Sequence, residues 1–496
     1  MPNLITAAQM READAYTIKH KPIFSIKLME NAAKAFVGVF KRECTDRTNK
    51  ISIVCGPGNN GGDGLAIARL LEAEKYKQIK VYLLKLSVKY SDDFEQNLKQ
   101  LSKAKVQIQT IDKAADLKLE ADIIIDAILG SGLNKPLTGF LANIAELINQ
   151  SKSKVIAVDV PTGLLAEGPL SSPYLGVKAD VVISFQRPKL NFFFPESQAA
   201  LKRFKVVEIG LDEQYVENRP SNWKMTDKGV IQKLIKPRAN FSHKGTYGHA
   251  LLIAGNTATM GAALLSAKAC LHTGAGLTTV CLPENGMVAL NTALPEVMSL
   301  NCSANIDEGI LEKFTAIGIG PGLGNDYDAE RLMSQLIELK EPMVIDADGL
   351  NILAKRRDLL DLLPADSILT PHLKEFDRIF GEQRNWWERV NTAKIAAQHR
   401  RVIIVLKNQY TFVCLPNGEI HINPTGGPAM ASGGMGDVLT GIITALLAQR
   451  YPAAEAAILG VYLHGKAGDK LAKNSFVVSA SEVAAEVPKV MKRLAE

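Results

Sequence analysis

Cysteine is scarce, six in 496 residues, and none of the six (Cys44, Cys55, Cys270, Cys281, Cys302, Cys414) forms a CxxC pair. That scatter argues against a disulfide framework or a zinc ribbon, and the thiols read as reduced core residues of a cytosolic protein. No apolar run reaches the roughly 18 residues that span a bilayer. The opening stretch MPNLITAAQMREADAYTIKH also lacks a signal-peptide apolar core. No membrane association is expected, and the cytoplasm is the expected location. Concentrated charge is missing as well. The formal charge is +6, but acids and bases alternate, and the longest basic clusters are Lys202-Arg203 with Lys205, and Lys492-Arg493. A nucleic-acid partner normally needs a denser basic face, so none is expected. No short-period repeat is present, which excludes a solenoid.

What remains is ordinary globular composition, 47% apolar and 22% charged. A chain of this length holds more than one core at about 100–200 residues per domain, and two domains are expected. Helical spacing dominates residues 6 to 40. Short β-branched runs then alternate with helical segments: ISIVCG (51 to 56), KVYLLK (80 to 85), DIIIDAILG (122 to 130), KVIAVDV (154 to 160), DVVISF (180 to 185) and KVVEIG (205 to 210). Runs apolar on both faces and separated by helices predict a parallel sheet covered on both sides, a Rossmann-like α/β domain. The pattern lapses near residue 220. It resumes with HALLIAG (249 to 255), LTTVCLP (277 to 283), AIGIGPG (316 to 322), PMVIDADG (342 to 349), SILTP (367 to 371) and VIIVLKNQYTFVCL (402 to 415). The last segment carries turn signals at NQY and PNG and should be antiparallel.

In open α/β sheets ligands bind beyond the carboxyl ends of the strands, so the informative residues sit where each run stops. ISIVC runs into GPGNNGGDG (56 to 64), five glycines in nine positions, and then into a helix. Backbone amides uncovered by glycine at a helix start suit a phosphate or another anion. The spacing is neither G-x-G-x-x-G nor a Walker loop, and a tight strand-to-helix turn without a ligand explains most lone glycine clusters. Two further strand ends weaken that reading: Asp126 precedes Gly130-Ser131-Gly132, and Asp159 precedes Pro161-Thr162-Gly163. Asn60, Asp126 and Thr162 are oxygen-bearing, which suits a hard cation, although a single Asp more often caps a helix. Near the other end, MASGGMGDVLTG (430 to 441) places Gly433, Gly434 and Gly436 before a helix with Asp437 in its first turn. Such amides can stabilise a transferring phosphoryl group, and the helix N-terminus should keep Asp437 ionised as a proton acceptor.

LMENAA, GPGNNGGDGLAIARLL, DAILGSGL and AVDVPTG together resemble the epimerase domain of the NAD(P)H-hydrate repair enzymes. The resemblance implies that Asn59, Asn60, Gly61, Gly62 and Asp63 cradle the hydrated dinucleotide, with Gly130, Ser131, Gly132, Leu133, Asn134, Lys135 and Pro136. It implies a potassium ion on Asn60, Asp126 and Thr162, and an acid–base role for Asp159. Thr162 stands where the family often has serine and keeps the hydroxyl. The glycine-rich turn ending in Asp437 resembles the ribokinase-like kinases. HKGTYGHALLIAGN, PGLG, DADGLN, TPHLKEF and PAMASGGMGDVLTG are similar to the dehydratase domain of the same repair family. That resemblance implies a fold of ribokinase-like α/β type, catalysis by Asp437, and adenine-nucleotide contacts from Lys407, Asn408, Gln409, Tyr410, Thr411 and Gly436. It implies contacts to the hydrated cofactor from Ala262, Gly322, His372 and Asp437. Asn408 stands where related chains often have glycine, a turn that Asn tolerates at positive φ. His372 by itself would be a satisfied, partly buried histidine; its place in TPHLKEF gives it the substrate role.

The expected domains are residues 1–215 and 225–494. The expected activity is repair of NADH and NADPH hydrates: R and S forms interconverted, the S form dehydrated with ADP and magnesium to give AMP and phosphate. A homo-oligomer is expected. The rivals are a ribokinase-class small-molecule kinase and, for the first domain, a non-catalytic ligand-binding module.

Overall fold

Strands that read ISIVC or VVISF have no polar face to show water, and they fold where both faces are covered. The computed structural model describes residues 2–21, 23–86, 89–301 and 306–496. The chain divides into two units, residues 3–221 with 385–387, and the remainder from 222 onward together with Pro2.

In the first unit β1 (Ile51–Cys55), β2 (Ile79–Leu84), β3 (Gln107–Ile111), β4 (Ile123–Ala127), β5 (Lys154–Val158), β6 (Val181–Phe185) and β7 (Phe204–Val207) form one sheet. Its order is β3-β2-β1-β4-β5-β6-β7, with every pairing parallel. Ile51, Ile53 and Cys55 join one core and Val54 the core on the opposite face, as the two-residue period of a strand requires. The strand order reverses between β1 and β4. Their C-terminal loops diverge there and open the crevice in which ligands of such sheets bind.

Most glycines of GPGNNGGDG serve packing. The helix Asn59–Ala73 begins inside the motif, with Gly58 as its N-cap and no side-chain cap. A Cβ on Gly61 would lie 1.8 Å from the Gly56 carbonyl oxygen, one on Gly56 2.1 Å from the Ile128 oxygen, and one on Gly64 2.6 Å from Ala127. Only around Gly58 is there open space. Gly61→Ala is therefore expected to lower stability by roughly 1–3 kcal/mol, the usual cost of overpacking, read as a fall in the denaturation midpoint.

The second unit contains β8 (Trp223–Met225), β9 (His249–Ile253), β10 (Leu277–Leu282), β11 (Met298–Asn301), β12 (Ala316–Ile319), β13 (Met343–Ile345), β14 (Ile368–Leu369), β15 (Ile403–Leu406), β16 (Thr411–Cys414) and β17 (Ile420–Asn423). Their order is β11-β10-β9-β12-β13-β14-β15-β16-β17-β8. Pairing is parallel through β15, antiparallel for β15–β16 and β16–β17 across the two expected turns, and parallel again at β8. The helix Met435–Ala448 is buried without a break from Val438 to Ala448. A helix apolar all round belongs in the core. Gly441 lets it lie against the helix Met260–Thr273, since a Cβ there would fall 2.1 Å from the Ser266 oxygen.

Cys44, Cys55, Cys270 and Cys414 are free and buried as expected. Cys281 is disulfide-bonded, so six reduced thiols do not describe this chain; Cys302 lies outside the described residues. Among the described residues no helix is long and apolar enough to cross a membrane.

Candidate functional site

The reversal point of the first sheet opens into a cavity of about 720 Å³. Asn59, Asn60 and Asp63 line it from the helix Asn59–Ala73, and Gly130, Ser131, Gly132, Leu133 and Asn134 from the loop after β4. Asp159 and Lys189 complete one wall. Gly61 and Gly62 sit inside the helix, Gly61 against Gly56 and Gly62 against Met29. Lys135 and Pro136 are exposed beyond the cavity, and Pro136 borders a separate small recess.

Asp159 follows β5 with φ +63°, a left-handed conformation that costs a side-chain-bearing residue energy and that clusters at functional sites. Its Oδ1 lies 2.7 Å from Lys189 Nζ and accepts from the Ser184 hydroxyl at 3.2 Å and the Phe185 amide at 3.0 Å. Lys189 is buried and was not foreseen; nothing in RPKLNFFF marks it as different from other lysines. Two further acids gather here. Burial, reinforced by the charge of Asp159, raises Asp14 to about 6, with Lys189 pulling the other way. Burial raises Asp63 well above the ordinary carboxylate range, reinforced by Asp159, Asp14 and Asp93.

Asp126 does not cap a helix. Its carboxylate accepts from the Thr162 hydroxyl and amide, both at 2.7 Å, and from the Ile128 amide at 3.2 Å. It is fully buried, and burial outweighs those bonds to raise it to about 6. Asn60 stands beside Gly130, and its buried Nδ2 has no hydrogen-bond partner.

The second unit gathers its polar groups where β13, β15 and the glycine turn end. Asp346, after β13, is ion-paired to Lys407 Nζ at 2.7 Å and accepts from the Thr440 hydroxyl at 2.8 Å. Burial alone would raise Asp346, but Lys407, Thr440 and Thr370 prevail and hold it below the usual carboxylate range. Gly434, at φ +85°, is the N-cap of the helix Met435–Ala448 and donates no side chain, so the first-turn amides stay free for an anion. Burial first, then Asp346 and Asp348, raises Asp437 to about 6 despite Lys407, so it is deprotonated at neutral pH and takes up a proton only in mild acid.

A cavity of about 480 Å³ borders this centre. Lys407, Asn408, Gln409, Thr411 and Gly436 line it; Tyr410 does not. Asn408 has no positive φ, so tolerance of that conformation plays no part here, and its Nδ2 is buried and unpartnered. His464 also lines the cavity, with its Nε2 buried and unpartnered and its ring pushed down to about 4 by burial and Lys407. That histidine lies in a helical run, GVYLHGKAGD, with no local signal of a site. Ala262, Gly322 and His372 lie elsewhere. Gly322, at φ +59°, accepts from the Thr259 hydroxyl at 2.6 Å, close to the start of the helix that carries Ala262. His372 caps the helix Leu373–Phe380, its Nδ1 accepting from the Lys374 and Glu375 amides.

A parallel Rossmann-like unit joined to a mixed α/β unit whose glycine turn ends in an acid defines a two-domain enzyme with a ribokinase-like second half. A family model for NAD(P)H-hydrate dehydratase matches residues 250–489, and a model described as the YjeF-related protein N-terminus matches residues 25–191. The chain is 33% identical to the bifunctional NAD(P)H-hydrate repair enzyme Nnr of Moorella thermoacetica, covering 99% of this chain and 97% of that protein. The enzyme of the same name from Vibrio cholerae is 37% identical over 70% of each chain. A solved ribokinase-like protein of Enterococcus faecalis is 30% identical at a TM-score of 0.51, covering 56% of this chain and 98% of its own. A Streptococcus mutans structure is 34% identical at the same TM-score, covering 55% of this chain and all of its own. The chain belongs to the bifunctional NAD(P)H-hydrate repair enzymes.

Proposed function

We propose that the two units divide one repair between them, the first epimerising hydrated NADH and NADPH and the second dehydrating the S hydrate with ADP. The observation that carries this reading is a cavity in each unit with an acid–lysine pair at it, one lined by Asp159 and Lys189, the other lined by Lys407, which holds Asp346 next to Asp437. The domains of the reading are residues 1–215 and 225–494.

In the first cavity Asp159, held in place by Lys189, Ser184 and the Phe185 amide, moves a proton as the hydrated carbon loses and regains its configuration. The loop residues Gly130 to Asn134 and the free amides at the start of the helix Asn59–Ala73 hold the dinucleotide. Asp126 is a buried carboxylate that accepts from the Thr162 hydroxyl and amide and the Ile128 amide, and Asn60 presents its Oδ1 beside Gly130 in the loop after β4. This oxygen-bearing set would hold potassium on Asn60, Asp126 and Thr162, where a bound cation would supply the counter-charge to the buried Asp126 carboxylate. Asp159→Asn is expected to slow conversion of the R hydrate by about 10²-fold or more while S-hydrate dehydration continues, read by separate R and S progress curves.

In the second unit Asp437 accepts the hydroxyl proton as that oxygen attacks the terminal phosphoryl group of ADP, releasing AMP. The ring nitrogen lone pair then expels phosphate, and loss of a proton from the adjacent carbon restores the dihydronicotinamide. The free amides of Met435, Gly436 and Asp437 stabilise the charge that moves during transfer. Lys407, Asn408, Gln409, Thr411 and Gly436, which line the cavity, form the nucleotide side with Tyr410 adjoining them in the chain; Ala262, Gly322 and His372, outside that cavity, would contact the hydrated cofactor. Magnesium, held with the nucleotide phosphates, would supply charge neutralisation there. The reading includes cytoplasmic action as a homo-oligomer, the assembly being checked by light scattering. The experiment that tests the whole is recovery of NADH from R and S hydrates with ADP, compared with ATP.

A further inference from the structure

We propose that Asp14 is the second acid–base group of the epimerase site, partner to Asp159. The proposal rests on the reading that residues 1–215 epimerise the hydrate, and it names a group which that reading leaves unused. Asp14 lies on the helix Ala7–His20, whose start is fixed by a capping box between Thr6 and Gln9. It lines the same cavity as Asp159 and Lys189 but comes from a different element. Asp159 is committed to Lys189, Ser184 and the Phe185 amide. Among the described residues the Asp14 carboxyl has no hydrogen-bond or ion-pair partner and is left facing the cavity.

Inverting a carbon that carries both a hydroxyl and a ring nitrogen needs a proton delivered at one oxygen and removed at another. In its resting ion-paired state a carboxylate serves the second task, and it can deliver a proton only after it has taken one up. The charged groups lining the cavity with Asp14 are Asp159 and Lys189 from the ends of β5 and β6, Asp63 from the helix Asn59–Ala73, Asp93 from the helix Asp92–Leu101, and Arg11 one turn away on its own helix. Burial and then Asp159 outweigh Lys189 and bring Asp14 to about 6, so a minority of molecules carries a proton at neutral pH, far more than for an ordinary carboxyl.

For R to S, the Asp14 proton passes to the hydroxyl oxygen. The carbon–oxygen bond breaks with its electron pair on oxygen, water departs, and the ring nitrogen lone pair closes a carbon–nitrogen double bond. Water then adds to the other face; the new carbon–oxygen bond forms, the double-bond pair returns to nitrogen, and the released proton goes to Asp159. S to R runs with the two carboxyls exchanged. Exchange with solvent through the open cavity resets the protons, and nothing is oxidised or reduced.

The test uses the full chain carrying Asp14→Asn or Asp14→Glu, with R and S hydrates, ADP, magnesium and potassium, in ordinary and ¹⁸O-labelled water. Wild type should convert the R hydrate and place label on the ring carbon. Asp14→Asn should lower kcat for R conversion by on the order of 10²-fold with KM little changed. It should also lose the decline in rate on raising pH through about 6, while the retained KM for the R hydrate shows that the first unit is folded. Asp14→Glu should recover part of the rate. Wild-type R conversion with an unchanged Asp14→Asn variant overturns the proposal, as does epimerisation without label or a loss confined to KM. A wild-type chain that leaves the R hydrate untouched defeats the epimerase reading, and the proposal with it.

Discussion

Asp437→Asn should stop dehydration of the S hydrate, with kcat lower by on the order of 10³-fold, while R and S forms continue to interconvert. The substitution keeps the shape of the side chain and removes the proton acceptor at the one place where the glycine turn, the helix N-terminus and Asp346 converge. Nucleotide affinity should change little, since Asp437 does not line the cavity formed by Lys407, Asn408 and Gln409. The raised value of Asp437 adds a pH dependence with a definite sign. A general base works only when deprotonated, so dehydration in the wild type should weaken as pH falls through about 6. Rates for separate R and S hydrates between pH 5 and 8, about the range in which a carboxyl of this kind titrates, check both statements.

Lys407→Met should lower folding stability by about 3 kcal/mol and remove nucleotide-dependent turnover together. Asp346 is 2% exposed at its side chain and leans on Lys407 Nζ at 2.7 Å. Deleting the cation leaves a buried charge with only hydroxyl partners, Thr440 and Thr370. Breaking a buried pair from one side costs roughly 3–5 kcal/mol, and the remaining hydroxyls place this case at the lower end. The sign with pH follows from Asp346. Its folded value lies below its unfolded one, so its contribution is present above the ordinary carboxylate value and is lost as pH falls through the folded value. In Lys407→Met burial takes over and Asp346 prefers its proton, so the gap between variant and wild type should narrow in acid. Chemical denaturation at neutral and acid pH measures that gap.

The strands legible from sequence were those buried on both faces, such as ISIVC, DIIIDA and VVISF, because continuous apolar runs have one stable home. QIQTI at β3 escaped notice: it is an edge strand, exposed at Gln107, Ile108 and Thr110, and its alternation looks like that of many polar segments. The three residues of β8 carry too little pattern to be read at all. The glycines of residues 56 to 64 were visible, but their division of labour was not. Whether a glycine meets a ligand or a carbonyl across a helix–sheet contact depends on tertiary approach, as at Gly61 and Gly56. Lys189, Asp14 and His464 were invisible for the same reason: their importance comes from what surrounds them, and that surrounding is built from distant parts of the chain. Asp126 and Thr162, each plain in its motif, meet at 2.7 Å because β4 and β5 are neighbours in the sheet.

The most direct test follows absorbance in the dihydronicotinamide band when a prepared mixture of R and S NADH hydrates meets the protein with ADP, magnesium and potassium. The account predicts complete recovery of NADH from both epimers, with one AMP and one phosphate formed for each NADH. No recovery with ADP or ATP, or accumulation of a stable phosphorylated product in place of free phosphate, would contradict it.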